Sequence, residues 1–248
     1  MNGGERPDLW GPLRLHTPAR VGLGRSGNAL PVRRLLEFQL AHAQARDAVH
    51  QPVDFRSVRE SLTGLPIVEV RSSAPDRTAY LRRPDLGRRV HPADLARLLE
   101  VGACDLVVVV ADGLSATAVH RHAAPLLEEL RPRLGSVGTA SVVLASQARV
   151  ALGDEIGERV GARLVVVLIG ERPGLSAADS LGAYLTYAPR IGRLDAERNC
   201  LSNIHPPTGL GYRTAARALA SLMARSLRLG LSGVGLTCDD SPLPIDPP

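Results

Sequence analysis

The sequence contains no lysine, since all 30 of its basic residues are arginine. The chain therefore cannot form a Schiff base with a carbonyl substrate or with pyridoxal phosphate, and it has no lysine that could act as a base. A Walker A loop, which requires a Gly-Lys-Ser/Thr run, is excluded as well. These absences remove pyridoxal phosphate enzymes and P-loop nucleotide hydrolases from the candidate functions.

Aromatic residues are also scarce, at 3% of the 248 residues. Proteins that bind single-stranded nucleic acid usually stack its bases on aromatic side chains. The arginines are dispersed among acidic residues, and the formal net charge is +5. The composition thus argues against a nucleic-acid partner, and it leaves open an electrostatic contact with an acidic partner or with phosphate.

Cysteine occurs three times, at Cys104, Cys200 and Cys238, and no two cysteines form a Cys-x-x-Cys pair. An odd number of distant cysteines argues against a disulfide framework and against a cysteine zinc site. His120 and His122 lie two residues apart on a predicted helix and therefore point to different faces. We predict no metal site from these residues.

Long apolar runs are absent too, and none approaches the roughly 20 residues that a membrane-spanning helix needs. The first ten residues have no apolar core of the signal-peptide type. We expect a cytoplasmic protein that makes no contact with membranes.

The predicted elements indicate an α/β protein with three parts. Residues 1–65 form a small helical N-terminal region, residues 66–232 a Rossmann-like domain, and residues 233–248 a flexible, proline-rich tail. In the first part, an apolar stripe predicts a helix that begins near residue 31 and ends at His50-Gln51-Pro52. A second, short helix is predicted at 54–62.

Strands and helices alternate in the main domain. The predicted strands are residues 67–71, 78–81, 106–110, 141–144 and 164–169. The predicted helices are residues 91–101, 115–134, 154–161 and 212–229. Continuous β-branched runs predict strands that are covered on both faces, and the alternation indicates a parallel sheet with right-handed crossovers. In such sheets, ligands bind outside the carboxyl ends of the strands.

The loop Asp112-Gly113-Leu114-Ser115 follows the first buried strand. Asp112 could bind a hydroxyl or an amine of a ligand. The alternative is a tight turn in which Ser115 caps the next helix and no ligand binds. The glycine spacing does not match the GxGxxG dinucleotide motif.

The loop Gly170-Glu171-Arg172-Pro173-Gly174 follows the last predicted strand. Its glycines and proline fix the backbone and leave Glu171 and Arg172 at the sheet edge. A carboxylate there can accept hydrogen bonds from amides or hydroxyls of a large polar ligand. The alternative is that both charged side chains pair with other protein groups.

Residues 195–205 are polar and lack a period, which predicts a loop before Pro206-Pro207. One hypothesis makes Cys200 a nucleophile with His205 as its base. A packing cysteine is the commoner alternative.

The segment Arg82-Arg83-Pro84-Asp85-Leu86-Gly87-Arg88-Arg89 concentrates positive charge. It is a candidate for binding phosphate, and it fits a solvated loop or a subunit contact equally well.

An ordered set of motifs resembles the small subunit of ethanolamine ammonia-lyase over roughly residues 15 to 230. The motifs are Thr17-Pro18-Ala19-Arg20, Gly24-Arg25-Ser26-Gly27, Glu69-Val70-Arg71-Ser72, the segment from Tyr80 to Arg89, Asp112-Gly113-Leu114-Ser115, Asp154-Glu155-Ile156-Gly157-Glu158, Gly170-Glu171-Arg172-Pro173-Gly174-Leu175, Tyr187-Ala188-Pro189-Arg190 and Cys200-Leu201-Ser202-Asn203-Ile204-His205.

This resemblance implies an enzyme of two kinds of subunit that converts ethanolamine to acetaldehyde and ammonia with adenosylcobalamin. It implies that the large subunit holds the substrate and that this chain covers the cobalamin from the other side. The family's cobalamin contacts then fall on Val150, Glu171 and Cys200. An Asp-x-His-x-x-Gly motif is missing, so the resemblance implies that this chain supplies no ligand to cobalt.

Two other classes of function stay open beside this one. A self-sufficient nucleotide-dependent enzyme would need a glycine-rich first turn with an acidic residue about 20 positions later, and the sequence lacks this pattern. A scaffold or binding module that has lost the cofactor is the second alternative. The segment before Trp10 is shorter than the extension that directs some relatives into a bacterial microcompartment, which argues against encapsulation without excluding it.

Overall fold

The computed structural model describes residues 8–17, 19–62, 64, 66–102, 104–137 and 140–236. Its strands are β1 (Ile67–Arg71), β2 (Leu106–Ala111), β3 (Ala140–Ser146), β4 (Leu164–Gly170), β5 (Leu181–Tyr187) and β6 (Arg198–Ile204). Its α-helices are α1 (Gly11–Arg14), α2 (Val32–His50), α3 (Phe55–Ser61), α4 (Arg77–Arg82), α5 (Ala116–Leu130), α6 (Leu152–Val160) and α7 (Tyr212–Leu229). A longer 3₁₀ segment, Pro92–Val101, lies between β1 and β2.

One six-stranded sheet organises the chain, in the order β1-β3-β2-β4-β5-β6. The first four strands in this order are parallel, whereas β5 is antiparallel to β4 and β6 is antiparallel to β5. The predicted α/β class is confirmed. The sheet is mixed, however, so the prediction of a parallel sheet holds for four of its strands only.

The two central strands have the burial that their sequences predict. All six residues of β2 and all seven of β4 are buried. Alternate residues of β2 belong to two different cores: Leu106, Val108 and Val110 pack with α5 and α7, and Val107 and Val109 pack with α6 and the 3₁₀ segment. Helices therefore cover the sheet on both faces, and the open part of the sheet is its edge.

Two segments differ from their predicted structure. Residues 78–81 were predicted as a strand and lie in helix α4, because the Asp76 carboxylate caps that helix by accepting a hydrogen bond from the backbone N–H of Ala79 at 2.8 Å. Residues 195–205 were predicted as a loop, and most of them form β6 at the edge of the sheet. The bounds of α7 agree with the predicted helix at 212–229.

The helices before the sheet differ in how firmly they pack. Helix α2 buries only Ala41 and Ala48. Helix α3 inserts Val58, followed by Leu62, into the core that contains β2 and α5. The boundary between residues 65 and 66 stays a prediction.

The segment from residue 233 onward was expected to be flexible, yet its first residues pack against β6. The Asn199 side-chain amide donates to the carbonyl oxygens of Gly233 and Leu236, at 3.1 and 2.8 Å, and Leu236 is buried. The rest of that segment, with Cys238, lies outside the described residues. Within the described part of the chain, no helix is both long and apolar enough to cross a membrane.

Candidate functional site

The loops that follow β2 and β4 touch each other at two glycines. The backbone N–H of Leu114 donates to the carbonyl oxygen of Gly170 at 2.8 Å. A Cβ on Gly113 would lie 2.2 Å from that same oxygen, and a Cβ on Gly170 would lie 2.1 Å from the carbonyl oxygen of Ser115. Only glycine allows this approach, which brings both predicted ligand-facing loops to one place at the sheet edge.

A cavity of about 400 Å³ opens beside these loops. Its lining combines apolar and charged side chains from several separate segments of the chain, namely Tyr80, Gly113, Leu114, Arg149, Val150, Ile169, Gly170, Glu171, Arg172, Tyr184 and Ser202. Two of the three predicted cofactor contacts, Val150 and Glu171, are thus brought together. A surface of this composition suits a ligand that has an apolar body and polar side groups.

Glu171 is half engaged by the protein. Its Oε2 accepts hydrogen bonds from the Ser180 hydroxyl and, at 3.2 Å, from the backbone N–H of Asn203. Among the described residues, its Oε1 has no hydrogen-bond partner. The protein therefore orients the carboxylate through one oxygen, and the residue as a whole lines the cavity.

Arg172 is exposed and makes no ion pair within the described residues. The alternative, in which both charged side chains pair with other protein groups, therefore holds for one carboxylate oxygen of Glu171. It does not hold for Arg172. Both charges border the cavity.

Val150 lies on the loop after β3, and Asp112 holds that loop in place. The Asp112 carboxylate is buried and accepts hydrogen bonds from the backbone N–H groups of Gln147 and Ala148, both at 2.9 Å. Arg77 adds an ion pair at 3.3 Å. Burial raises the pKa of Asp112, against these opposing contacts. Asp112 therefore joins the loop after β2 to the loop after β3. These contacts favour the structural alternative for this loop, a tight turn, over a role for Asp112 in binding a ligand.

Ser115 caps helix α5, as the turn interpretation predicts. Its hydroxyl accepts from the backbone N–H of Ala118 at 3.2 Å and donates to the carbonyl oxygen of Ala178 at 2.8 Å. The second hydrogen bond ties the helix start to the segment after β4.

Cys200 does not line the cavity but contacts a residue that does. It is the cross-strand partner of Tyr184, where β6 pairs with β5. Cys200 is exposed as a residue, yet the surrounding protein desolvates its thiolate, and this raises the pKa of the thiol. The nearby Glu171 charge acts in the same direction.

The hypothesis of a Cys200 nucleophile with a His205 base is not supported by these contacts. Both ring nitrogens of His205 are engaged elsewhere: Nε2 lies 2.7 Å from Asn203 Oδ1, and Nδ1 lies 3.2 Å from the Thr208 hydroxyl. A raised pKa also disfavours the thiolate, which is the reactive form.

Sequence reasoning gave no site role to Tyr80, because it placed this residue in a strand. Tyr80 is fully buried, and its hydroxyl donates to the carbonyl oxygen of Ala148 at 3.0 Å. The guanidinium carbons of Arg149 and Arg77 lie 4.3 and 4.8 Å from its ring centroid. The ring thus positions Arg149, which lines the cavity, and Arg77, which pairs with Asp112.

The arginine cluster at 82–89 divides into paired and unpaired members. Arg83 pairs with Asp85 at 2.8 Å, and Arg89 pairs with the buried Glu155 at 3.0 Å. Arg88 borders a second cavity, which Val150 also lines. Among the described residues, no group of three or more His, Cys, Asp or Glu side chains is placed to hold a metal ion.

Comparison with known proteins gives consistent matches over nearly the full sequence. The model of the ethanolamine ammonia-lyase light chain (EutC) family matches residues 7–237. An ethanolamine ammonia-lyase small subunit from Rhodococcus erythropolis is 51% identical over 92% of this chain and 90% of its own length. Proteins of the same name from Azotobacter vinelandii and Pseudomonas paraeruginosa are 53% and 52% identical, over 92% and 95% of this chain and 87% and 91% of their own lengths. The chain therefore belongs to the ethanolamine ammonia-lyase light chain family.

Proposed function

We propose that this chain is the small subunit of an adenosylcobalamin-dependent ethanolamine ammonia-lyase, and that its cavity at the sheet edge covers part of the cofactor. A large subunit would hold the substrate, and the pair would convert ethanolamine to acetaldehyde and ammonia. Family membership supports the subunit role, because the relatives are named as small subunits of this lyase.

One observation carries the cofactor part of the proposal. Val150 and Glu171 are distant in sequence and line one cavity, and Cys200 is the cross-strand partner of Tyr184, which lines the same cavity. These are the positions that the family resemblance assigns to the cofactor. Three assigned residues from three different loops and strands would not converge at one edge by composition alone.

The residues fit a corrinoid in chemical type. A corrin ring has broad apolar faces and a rim of amide side chains, and the cavity offers apolar side chains together with the carboxylate of Glu171. A corrinoid is far larger than a cavity of about 400 Å³. The chain would therefore cover one part of the ring, and the partner subunit would cover the rest.

Each residue of the site then has a binding or positioning role. Glu171 would accept a hydrogen bond from a corrin amide through Oε1, while Ser180 and Asn203 hold its carboxylate in orientation. Val150 and Tyr184 would pack on the ligand, and Cys200 would support Tyr184 from the neighbouring strand. Bound adenosylcobalamin supplies radical chemistry of its own. We assign neither a proton transfer nor a cobalt ligand to this chain.

Reconstitution with the large subunit tests the proposal. We expect ethanolamine deamination only when both chains and adenosylcobalamin are present, and we expect the visible spectrum of the corrin to change when it binds the pair. Full deamination by the large subunit alone would contradict the proposal. A complex that forms but leaves the corrin spectrum unchanged would favour the scaffold alternative.

A further inference from the structure

A second cavity, of about 280 Å³, adjoins the first one. It is lined by Pro84, Arg88, Arg149, Val150, Ala151, Arg193, Leu194, Asp195 and Arg198. Arg149 and Val150 line both cavities. A ligand held in the first cavity could therefore extend a polar arm into the second.

Two of the four arginines at the second cavity are neutralised by carboxylates. Arg193 pairs with Glu197. Arg198 pairs with the buried Asp154 and, at 3.4 Å, with the exposed Asp195. Asp195 is the one acidic residue among those that line the cavity.

The other two arginines, Arg88 and Arg149, form no ion pair with any described residue. Arg149 donates through Nη2 to the carbonyl oxygen of Tyr80 at 3.3 Å, and its buried Nε has no hydrogen-bond partner in the described part of the chain. Two positive charges thus face the cavity without a countercharge.

Gly87 packs against Arg149 and directly precedes Arg88. The backbone N–H of Arg149 donates to the carbonyl oxygen of Gly87 at 2.8 Å. A Cβ on Gly87 would lie 2.9 Å from Arg149 Cγ and 3.0 Å from the ring of Tyr80. The close approach permitted by glycine fixes the backbone of Gly87 against Arg149, and Arg88 is the next residue along the chain and lines the same cavity.

The amino end of helix α6 adds positive potential at the same cavity. Its N-cap, Ala151, lines the cavity and provides no side-chain cap. The carboxylates in its first turn face other arginines, because Asp154 pairs with Arg198 and Glu155 with Arg89. The first backbone N–H groups of the helix are already used, because those of Leu152, Gly153 and Asp154 donate to the carbonyl oxygens of Arg149, Val150 and Ala151. The helix end therefore contributes only its dipole, and the two arginines are the groups that can hydrogen-bond an anion.

We infer that the second cavity is a phosphate-binding subsite, in which Arg88 and Arg149 are the principal contacts. Two guanidinium groups can match several oxygens of a phosphate group, and the helix dipole adds to their positive potential. Two sources share this chemistry: the phosphodiester of the nucleotide arm of cobalamin, an assignment that rests on the proposed function, and free phosphate. The wall shared with the first cavity favours the phosphodiester.

The test compares two corrinoids on the complex with the large subunit. Adenosylcobalamin carries the phosphodiester, and adenosylcobinamide lacks it. We expect Arg88→Ala to weaken adenosylcobalamin binding about tenfold, as the loss of one charge-assisted contact predicts, and to change adenosylcobinamide binding less than twofold. Arg149→Met, which keeps the packing on Tyr80, should show the same selectivity. Arg88→Lys should recover part of the affinity.

Arg217→Ala is the control, because Arg217 is exposed on helix α7. This substitution changes the net charge by the same amount as Arg88→Ala. It should leave the affinity for both corrinoids unchanged. Equal losses for both corrinoids in Arg88→Ala, or no loss for either, would overturn the phosphodiester assignment.

A separate arm uses inorganic phosphate with the full chain. If the complex bound no corrinoid, the proposed function would fail. The subsite would still be supported if the chain bound phosphate, Arg88→Ala weakened that binding about tenfold and Arg217→Ala left it unchanged. The subsite itself is refuted if the phosphodiester assignment is overturned and, in addition, the chain binds no phosphate or binds it equally well after Arg88→Ala.

Discussion

Arg198 and Asp154 form an ion pair whose side chains are only 3% and 2% exposed. The pair joins the edge strand β6 to helix α6. Burial raises the pKa of Asp154 even though Arg198 opposes the shift, and one carboxylate oxygen has no partner among the described residues. The protein therefore tolerates the two buried charges because each one neutralises the other.

We predict that Arg198→Met destabilises the chain by about 3 kcal/mol, since removal of one partner leaves an uncompensated buried charge. The double variant with Asp154→Leu should lose less than the single variant. Urea unfolding measures both free energies. Additive losses from the two substitutions would contradict the interpretation of a coupled pair.

Asp94 gives a second prediction, which concerns acid stability. Its buried carboxylate accepts hydrogen bonds from the backbone N–H, Nε and Nη2 of Arg71, at 2.8 to 2.9 Å. These contacts lower the pKa of Asp94 to about 2. Because the folded-state pKa is lower than the unfolded one, the contribution is present above about pH 4 and is lost as the pH falls towards 2.

Asp94→Asn should therefore destabilise the chain at pH 7 by roughly 1–2 kcal/mol, a value that allows for the exposure of Arg71. The difference between variant and wild type should shrink as the pH falls from 4 to 2. Unfolding curves at several pH values measure this. A difference that stays constant with pH would refute the assignment to Asp94.

The regular core of this fold is predictable because its signals are local and strong. The valine runs of β2 and β4 predict buried strands within one residue of their observed ends. Helix α7 shows its apolar stripe over 18 residues. In both cases the apolar residues that form the sequence pattern are the same residues whose burial stabilises the element.

The parts that were mispredicted depend on contacts that local pattern does not encode. Strand β6 lies at the sheet edge, so Ser202 and Asn203 are exposed and the segment looks polar. Strand β5, which was not predicted from the sequence, runs antiparallel to both of its neighbours, β4 and β6. The direction of a strand depends on how the chain connects the strands, and the local sequence pattern does not encode it. The lining of the first cavity comes from six parts of the chain. Without the family resemblance, the sequence pointed only to Glu171, Arg172 and the two loops that carry the glycines.

A third prediction concerns the glycine contact between the two loops. Gly113 has a φ of +56°, and a Cβ there would overlap the carbonyl oxygen of Gly170. Gly113→Ala should cost about 3 kcal/mol or more, because steric overlap adds to the roughly 1–2 kcal/mol cost of the left-handed conformation. Gly161, which follows helix α6, is the matched control: it is left-handed with a φ of +68°, and a Cβ there would meet nothing within 4 Å.

Gly161→Ala should therefore lose only the conformational part, about 1–2 kcal/mol. Thermal and urea unfolding of both variants measure the difference. Equal losses would mean that the loops separate readily, and the first cavity would then not be a rigid site.

The last prediction returns to Glu171, which is oriented through Oε2 and lines the first cavity. Glu171→Ala removes one acceptor for the cofactor and leaves Ser180 and Asn203 without theirs. In the complex with the large subunit, we expect the dissociation constant for adenosylcobalamin to rise about tenfold, whereas the free energy of unfolding of the chain falls by only about 1 kcal/mol.

Glu128→Ala provides the matched acidic control, because Glu128 is exposed on helix α5 and away from both cavities. It should change neither quantity. Spectral titration of the corrin measures affinity, and urea unfolding of the isolated chain measures stability. If Glu171→Ala destabilised the chain by several kcal/mol and left cofactor affinity unchanged, Glu171 would be a structural residue. The hydrogen bond from Asn203 to Glu171 would then serve only to join β6 to the loop after β4.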